Sequence, residues 1–393
     1  MRLVKVQSLN LKPGMFVAEL DRPWLDTPFA IQGFVIRDAA DVDQVAQFVE
    51  HVFVDSDYTG GARFLVLDSS EEKEKRGGIL ELKADFQAAR VSFESASDSL
   101  SKVFESLRGG RHADISAVQE AVSPLIEGIF RNQEAVAALL RLKDSGDYRY
   151  QHGISMALWG VILGRQIGLH RQELEKLAVG CAMCDVGMTE LPQKLLDQRE
   201  SLDEKQRMII ERHTVMGAEM VADSQHVDFE ILSIIENHHE RVDGSGYPRG
   251  LEGSQIPLLA KIAGLVDAYD AMVSARAYAP ARTSHEAAQE LMDRQGELFQ
   301  TSLVEQFIQA IGLFPTGVIV ELNTAEVAIV IRQNEMRRLK PEIVVVLDKD
   351  KERKEHLEVV ELARQQVGLD GERWIARELL PGTYGINSQE FFI

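Results

Sequence analysis

Residues 237–248 read Asn-His-His-Glu-Arg-Val-Asp-Gly-Ser-Gly-Tyr-Pro, and they follow an apolar run from Phe229 to Ile235. The apolar run predicts a helix that ends at His238 and His239. Two imidazoles at a helix end, beside a glycine-rich turn that can approach a ligand closely, indicate half of a metal site. The alternative is an ordinary helix cap and turn, because Asp-Gly and Ser-Gly are turn signals in any protein. The rest of the chain decides between the two.

The composition limits the class of protein. The chain has 393 residues, which predicts two or three domains, and its 45% hydrophobic and 27% charged residues are ordinary for a soluble globular protein. No apolar run reaches the length of a membrane span, and the first residues do not resemble a signal peptide. We therefore expect a cytoplasmic protein with no membrane partner. A net charge of −19 argues against a nucleic-acid partner, so a phosphate ligand would need local positive charge, such as metal ions.

Changes in residue pattern divide the chain into four parts. We expect a small β-rich N-terminal domain over residues 1–68, a linker (69–78) and helix pair over 69–134, a helical metal domain over 135–313, and a C-terminal extension with a β-hairpin over 314–393. The strands predicted from alternating apolar residues cover 15–20, 29–35, 64–67, 318–322, 327–331 and 343–347. A further helix is predicted over 358–367. The fold class is therefore mainly α, with β structure at both ends.

A heptad stripe runs along the first predicted helix of the pair. Its apolar residues are Phe86, Ala89, Phe93, Ala96, Leu100, Val103 and Leu107. The favoured interpretation is two amphipathic helices packed on the domain core. The alternative is a homodimer seam through residues 86–107, or a signalling helix pair that contacts partner proteins.

Six residues of metal-ligand type recur along the helical part, each near a predicted helix boundary. They are His152, Asp185, His213, His238, His239 and Asp267. A lone histidine on a helix is more often structural than a ligand, but six such groups in one domain favour a site. Mixed imidazole and carboxylate ligands predict a binuclear hydrolytic centre, in which one carboxylate bridges two ions that clamp a phosphate and generate hydroxide at neutral pH.

Four motifs carry a resemblance to a known family. They are Tyr150-Gln151-His152, Cys184-Asp185-Val186-Gly187-Met188, the segment from Glu211 to Gly217, and the segment from His238 to Pro248 continued by residues 266–272. Together they resemble the HD-GYP family of metal-dependent phosphohydrolases, which hydrolyse the bacterial second messenger cyclic di-GMP. The resemblance runs from about Arg141 to Leu313. The first seventy residues, above all 23–29, resemble the small uncharacterised domain that often precedes HD-GYP modules.

The resemblance implies roles for individual residues. His152 and Asp267 would bind a first metal, Asp185 would bridge both metals and be catalytic, and His213, His238 and His239 would complete the second. Gly246, Tyr247 and Pro248 would form a wall beside cyclic di-GMP, and Arg276 would contact its phosphate. The metals would be two divalent ions. Histidine and carboxylate ligands favour iron or manganese, whereas a Cys184 thiolate as a ligand of the first metal would favour zinc.

Three positions depart from the family pattern. Cys184 replaces the name-giving histidine, Met188 replaces a lysine that contacts phosphate, and Tyr148 replaces a glutamate ligand of members with three metals. Loss of one donor to the developing phosphoryl charge typically costs ~10²–10³ in rate. Two hypotheses follow: a slow cyclic di-GMP phosphodiesterase that releases pGpG or GMP, and a catalytically silent member that binds cyclic di-GMP or partner proteins.

Overall fold

The computed structural model describes most of the chain. The described residues are 3–12, 15–20, 34–36, 39–55, 69–108, 114–142, 148–196, 198, 200–222, 224, 227–274, 280–334, 339–365 and 372–392. Arg276, segment 23–29, residues 29–33 of the second predicted strand and the predicted strand over 64–67 lie outside them. Within these ranges, every helix is too short or too polar to cross a membrane.

A helical core fills the middle of the chain, which confirms the predicted mainly α fold class. The first helix, α1 (Ala39–Ala46), belongs to the N-terminal part. The helices of the core are α2 (Ser69–Arg108), α3 (Ile115–Leu142), α4 (Tyr148–Gln166), α5 (Arg171–Met183), α6 (Gln193–Leu196), α7 (Glu204–Glu211), α8 (His213–Ala222), α9 (Phe229–Asn237), α10 (Leu258–Val273), α11 (Ser284–Asp293) and α12 (Thr301–Ile311). Helix α4 lies at the centre, where Trp159 and Ile162 are completely buried.

The N-terminal part is a small antiparallel sheet. Its strands are β1 (Leu3–Gln7), β2 (Phe16–Leu20), β3 (Phe34–Val35) and β4 (His51–Asp55), in the order β1-β4-β2-β3. Alternate residues of β4, Val52 and Val54, point into a small apolar core that also contains Val17 and Val45. The β-rich character agrees with the sequence prediction. That prediction did not include helix α1.

The apolar stripe of the helix pair is buried by contacts within the same chain. All seven residues of the heptad stripe are at most 6% exposed in the single chain, in the same apolar cluster as α3 and α4. This burial supports the interpretation of two helices packed on the core and leaves the stripe no free surface for a homodimer. The predicted linker over 69–78 is wrong in detail, since α2 begins at Ser69 and is continuous through it.

The C-terminal part is an antiparallel sheet that packs on the helical core. Its strands are β5 (Ile319–Leu322), β6 (Val327–Arg332), β7 (Glu342–Leu347), β8 (Arg353–Glu361) and β9 (Ile375–Leu379), in the order β8-β7-β6-β5-β9. One face joins the helical core through Ile329 and Val344, and the other joins a second cluster through Val330 and Val345. The predicted hairpin is confirmed as β5 and β6. The α-helix predicted over 358–367 is wrong: residues 358–361 belong to β8 and pair with β7, and a short 3₁₀ helix over Leu362–Arg364 follows.

Candidate metal centre

The six predicted ligands converge at one end of the helical core. His152 lies in the second turn of α4, and Asp267 lies in the middle of α10. Asp185 follows α5, His213 begins α8, and His238 with His239 directly follows α9. Donor nitrogens of His213, His238 and His239 all lie within 4.8 Å of one another. Side chains from five helices or helix ends thus build one cluster.

The carboxylate of Asp185 lies between two of these histidines. Its Oδ1 lies 3.6 Å from Nε2 of His213, and its Oδ2 lies 3.9 Å from Nε2 of His152. Each carboxylate oxygen therefore faces a different imidazole. The carboxylate of Asp267 is arranged in the same way. Its Oδ1 lies 3.1 Å from Nε2 of His152, and its Oδ2 lies 3.6 Å from Nδ1 of His239. Two carboxylates that each span a pair of imidazoles are suited to two neighbouring cations.

The ring nitrogens of His213 and His238 are arranged for metal binding. Nδ1 of His213 lies 2.7 Å from the carbonyl oxygen of Ile210, and Nδ1 of His238 lies 2.9 Å from that of Ile235. A carbonyl oxygen only accepts, so each Nδ1 carries the proton and each Nε2 carries a lone pair. The two Nε2 atoms are 3.5 Å apart. Two lone pairs at this distance repel each other unless a cation lies against both.

Burial keeps two of the histidines neutral. The pKa of His238 is held well below its usual value by burial and then by the neighbouring His239 and His213. The pKa of His239 is also lowered, first by burial and then by His213 and Arg241. Metal binding requires the neutral imidazole, so both side chains are in the state that a metal ion needs.

His152 is held by carboxylates on both of its nitrogens. Nδ1 donates to Oδ2 of Asp270 at 2.8 Å, and Nε2 lies 3.1 Å from Oδ1 of Asp267. Burial opposes a charge on His152, but the bonds to Asp267 and Asp270 outweigh it and raise the pKa of this imidazole. A proton thus provides the positive charge that a metal ion at Nε2 would provide. The donor set therefore fits a divalent cation.

Asp270 was not singled out as a functional residue by the sequence analysis. It is completely buried, and it accepts hydrogen bonds from His152, from Nε1 of Trp159 at 3.3 Å and from the hydroxyl of Ser274 at 3.4 Å. A carboxylate that fixes the far nitrogen of a ligand histidine also fixes its tautomer and ring orientation. The signal was present in the sequence, since Asp270 lies one helical turn after Asp267 and faces the same side.

Two glycines allow the ligand-bearing segments to approach each other. A Cβ on Gly187, just after Asp185, would lie 2.0 Å from the carbonyl oxygen of His213. A Cβ on Gly264 in α10 would lie 2.3 Å from the carbonyl oxygen of His238. Any larger residue at either position would push Asp185 or Asp267 away from the histidines.

The glycine-rich loop is fixed by Glu240. This buried carboxylate accepts the backbone N–H groups of Arg249 at 2.8 Å and Leu251 at 2.9 Å. Within the loop, the ring of Tyr247 stacks on the ring of His239, with centroids 4.7 Å apart. Tyr247 and the flanking Gly246 and Pro248 are half-buried beside the cluster. The loop thus forms one wall of the candidate site.

The comparisons with known families agree with this architecture. Residues 135–303 match the HD domain family (HD_5), and residues 3–118 match a domain of unknown function (DUF3391). The chain is 27% identical to a cyclic di-GMP phosphodiesterase of Pseudomonas aeruginosa, over 87% of this chain and 85% of that protein. Residues 135–303 are thus similar to HD domains, and most of the chain is similar to a cyclic di-GMP phosphodiesterase.

Other relatives match a smaller share of the chain. The cyclic di-GMP phosphodiesterase response regulator RpfG of Xanthomonas campestris is 30% identical, over 50% of this chain and 52% of that protein. This chain therefore spans about half the length of that relative. Among solved structures, an HDG"Y"P protein from Bdellovibrio bacteriovorus aligns with a TM-score of 0.49 and 16% identity, over 78% of this chain and 98% of that one. The HD domain carries the divalent-metal site of HD phosphohydrolases.

At the position that gives the HD domain its name, the thiol of Cys184 lies in the apolar core. Cys184 is 1% exposed and ends α5. Its pKa is raised well above the usual value, first by burial and then by a hydrogen bond to the thiol of Cys181 and by the nearby carboxylates of Asp185 and Asp267. Without a metal ion beside it, this environment favours the neutral thiol. Met188, in the short 3₁₀ helix that follows, is half-buried and brings no charge to the site.

Proposed function

We propose that this chain is a metal-dependent phosphodiesterase of bacterial second-messenger signalling that hydrolyses cyclic di-GMP. The observation that carries the proposal is the position of Asp185, whose two carboxylate oxygens face His152 and His213. The names of the similar proteins from Pseudomonas and Xanthomonas support cyclic di-GMP as the substrate. The proposed metal ligands are the six converging residues described above, with iron or manganese favoured by their nitrogen and oxygen donors.

The chain's own side chains would prepare the site for a phosphodiester. His213 and His238 present Nε2 lone pairs, while backbone carbonyls hold their Nδ1 protons. Asp185 and Asp267 keep 21% and 13% of their side-chain surface exposed, so the carboxylates lie at the mouth of the site. Divalent ions in such sites supply Lewis acidity to phosphoryl oxygens and activate water at neutral pH. Tyr247 would form the apolar wall beside the dinucleotide, and Arg276 would contact its phosphate.

We further propose that catalysis is weakened. The buried Cys184 lacks the imidazole that the family pattern has at position 184, so His152, Asp185 and Asp267 would be the imidazole and carboxylate ligands of the first metal. Met188 offers no cation to the phosphoryl group, and such a loss typically costs ~10²–10³ in rate. The second metal's ligands, Asp185, His213, His238 and His239, retain the family pattern.

The second candidate function is binding without turnover. The neutral thiol of Cys184 and the uncharged Met188 favour it, because both changes remove groups used for chemistry and leave the surrounding fold intact. In this case the chain would bind cyclic di-GMP at the glycine-rich loop and transmit occupancy to a partner protein.

Metal content and turnover on one purified sample separate the two functions. The chain is loaded anaerobically with iron(II) or manganese(II), metals per chain are counted, and products from cyclic di-GMP are identified by chromatography. Release of pGpG or GMP, abolished by Asp185→Asn and unaffected by the exposed control Asp293→Asn, supports the phosphodiesterase. Binding of cyclic di-GMP with no product supports the sensor.

Restoring the residues of the family pattern at positions 184 and 188 measures how much each departure lowers the rate of hydrolysis. Cys184→His and Met188→Lys are made separately and together, with Met208→Lys as a control because Met208 is 61% exposed on α7. We expect each reversion to raise the rate and the pair to raise it further. If no variant binds or cleaves cyclic di-GMP, both candidate functions are wrong.

A further inference from the structure

Arg141, near the end of α3 and outside the ligand cluster, is a half-buried arginine whose guanidinium lies in the interior. Its guanidinium carbon lies 5.2 Å from the ring centre of Trp159 and 5.0 Å from that of Tyr269. Its Nε and Nη2 are inaccessible to solvent and have no hydrogen-bond partner among the described residues. Burial lowers the pKa of Arg141 to about 10, against the attraction of Glu378 and Asp270, so the side chain remains charged at neutral pH.

Direct contacts lead from Arg141 to the metal centre. Trp159, one of the two rings, donates its Nε1–H to Oδ1 of Asp270 at 3.3 Å. Tyr269, whose ring packs edge-to-face on that of Trp159 with centroids 5.5 Å apart, directly precedes Asp270 in α10. The other oxygen of Asp270 accepts the Nδ1 proton of His152 at 2.8 Å. Trp159, Tyr269 and Asp270 are all completely buried, so these contacts are not interrupted by solvent.

The C-terminal sheet brings an acidic residue to the cavity that Arg141 lines. Glu378 on β9 accepts the backbone N–H groups of Ser284 at 3.0 Å and His285 at 2.8 Å, and so caps the start of α11. Arg141 and Glu378 both line a cavity of about 40 Å³ between the helical core and the sheet. A cavity of this size has room for more than one water molecule that joins the two charges.

We propose that Arg141 is a positioning residue for the metal centre and that the C-terminal sheet belongs to the same functional unit. The cation holds Trp159 and Tyr269 in place and offsets the charge of the buried Asp270. Asp270 then keeps His152 in the orientation and tautomer that expose Nε2 to the metal. The inference rests on the proposed metal site and does not depend on cleavage of cyclic di-GMP.

The test measures metal binding in the absence of substrate. Arg141→Met retains an apolar chain over the two rings and removes the charge, and Arg141→Lys restores a cation. The control is Arg171→Met, because Arg171 also lies over a ring, that of Phe130 at 5.4 Å, but is 40% exposed and remote from the centre. We expect manganese(II) affinity, followed by electron paramagnetic resonance, to fall about tenfold in Arg141→Met, to recover largely in Arg141→Lys and to be unchanged in the control.

A second readout reports on His152 directly. An imidazole N–H that donates to a buried carboxylate gives a strongly downfield proton resonance, assigned here by its loss in His152→Gln. We expect this resonance to shift or broaden in Arg141→Met and to persist in Arg171→Met. If Arg141→Met fails to fold, Glu378→Gln perturbs the arginine from the sheet and should move the same two readouts in the same direction.

The result that overturns the proposal is a folded Arg141→Met protein with unchanged manganese affinity and an unchanged His152 resonance. A lower melting temperature alone would then show that Arg141 is merely structural. A chain that binds metal normally but does not cleave cyclic di-GMP would contradict the proposed function and leave this inference intact.

Discussion

Replacement of Asp270 by asparagine tests how the ligand histidine is held. The carboxylate accepts the Nδ1 proton of His152 at 2.8 Å through one oxygen and the indole proton of Trp159 at 3.3 Å through the other. An amide has only one accepting oxygen. If that oxygen faces His152, the amide N–H₂ meets the N–H of Trp159. If it faces Trp159, the N–H₂ faces His152 and forces the proton to Nε2, which then cannot bind a metal.

The magnitude follows from the same geometry. Changing the carboxylate partner of a ligand histidine typically lowers metal affinity 10- to 100-fold, which is roughly 1.4–2.7 kcal/mol. This range agrees with the roughly 1.5–3 kcal/mol of a hydrogen bond to a charged group. The second proposed ion, with His213 and His238 as proposed ligands, should keep its affinity, because their Nδ1 protons are held by backbone carbonyls and not by Asp270.

Calorimetric titration with manganese(II) would measure the two affinities. We expect one binding event to weaken in Asp270→Asn and the other to remain, with Asp243→Asn as a control in the exposed part of the glycine-rich loop. Equal affinities of Asp270→Asn and the unmodified chain at both sites would refute the argument. Equal weakening of both sites would show that Asp270 stabilises the whole cluster rather than His152.

Three further predictions concern other parts of the molecule. Gly187→Ala should lower the free energy of unfolding by roughly 1–3 kcal/mol, because its Cβ would lie 2.0 Å from the carbonyl oxygen of His213; an unchanged urea midpoint would contradict this. Glu240→Gln should speed proteolysis of the glycine-rich loop, because the amide has one accepting oxygen and leaves one of the two backbone N–H groups without its hydrogen bond of about 1.5–3 kcal/mol; equal cleavage rates would contradict it. The hydrogen bond to Arg373 lowers the pKa of Glu358 from 4.5, so its stabilisation is present above that pH and is lost below it. The small stability difference between the unmodified chain and Glu358→Gln should therefore shrink in acid, and a difference independent of pH would count against the ion pair.

The helical core could be predicted because its signals are local. Apolar residues recur with the helical period, and His213 and His238 lie at helix boundaries as predicted. The prediction of a boundary position is wrong for Asp267, which lies in the middle of α10, and His152 lies in the second turn of α4. The structure brings these histidines together with Asp185 and Asp267, as the spacing and the resemblance led us to expect.

The C-terminal sheet was harder to predict because its signals depend on tertiary contacts. Strand β8 contains several charged residues and lacks a clear alternation, so the sequence favours a helix over 358–367. The observed strand is stabilised by pairing with β7, for example Val360 with Ile343. That pairing exists only because β7 is already held in the sheet by β6. Propensity alone does not contain this information.

The positions of Arg141 and Asp270 were missed for a related reason. In the sequence, Arg141 is interpreted simply as a charged residue near a helix end. Asp270 is interpreted as a second aspartate one turn after a predicted ligand. Their importance arises only when α3, α4 and α10 pack and bring both charges to the buried ring of Trp159. Buried charges need partners, so such pairs become visible once the core is assembled.

Position 184 shows how far a local change can separate binding from chemistry. Cys184 and Asp185 are adjacent, yet the thiol lies in the apolar core against Cys181 while the carboxylate lies between two imidazoles. A small neutral thiol fills its place in the core without disturbing the turn that positions Asp185. In the proposed site, the exchange takes away the imidazole of the family pattern at position 184, whereas Asp185, His213, His238 and His239 retain that pattern. Under this proposal the chain would keep the geometry that binds a metal and a phosphodiester and would lose part of the machinery that cleaves it.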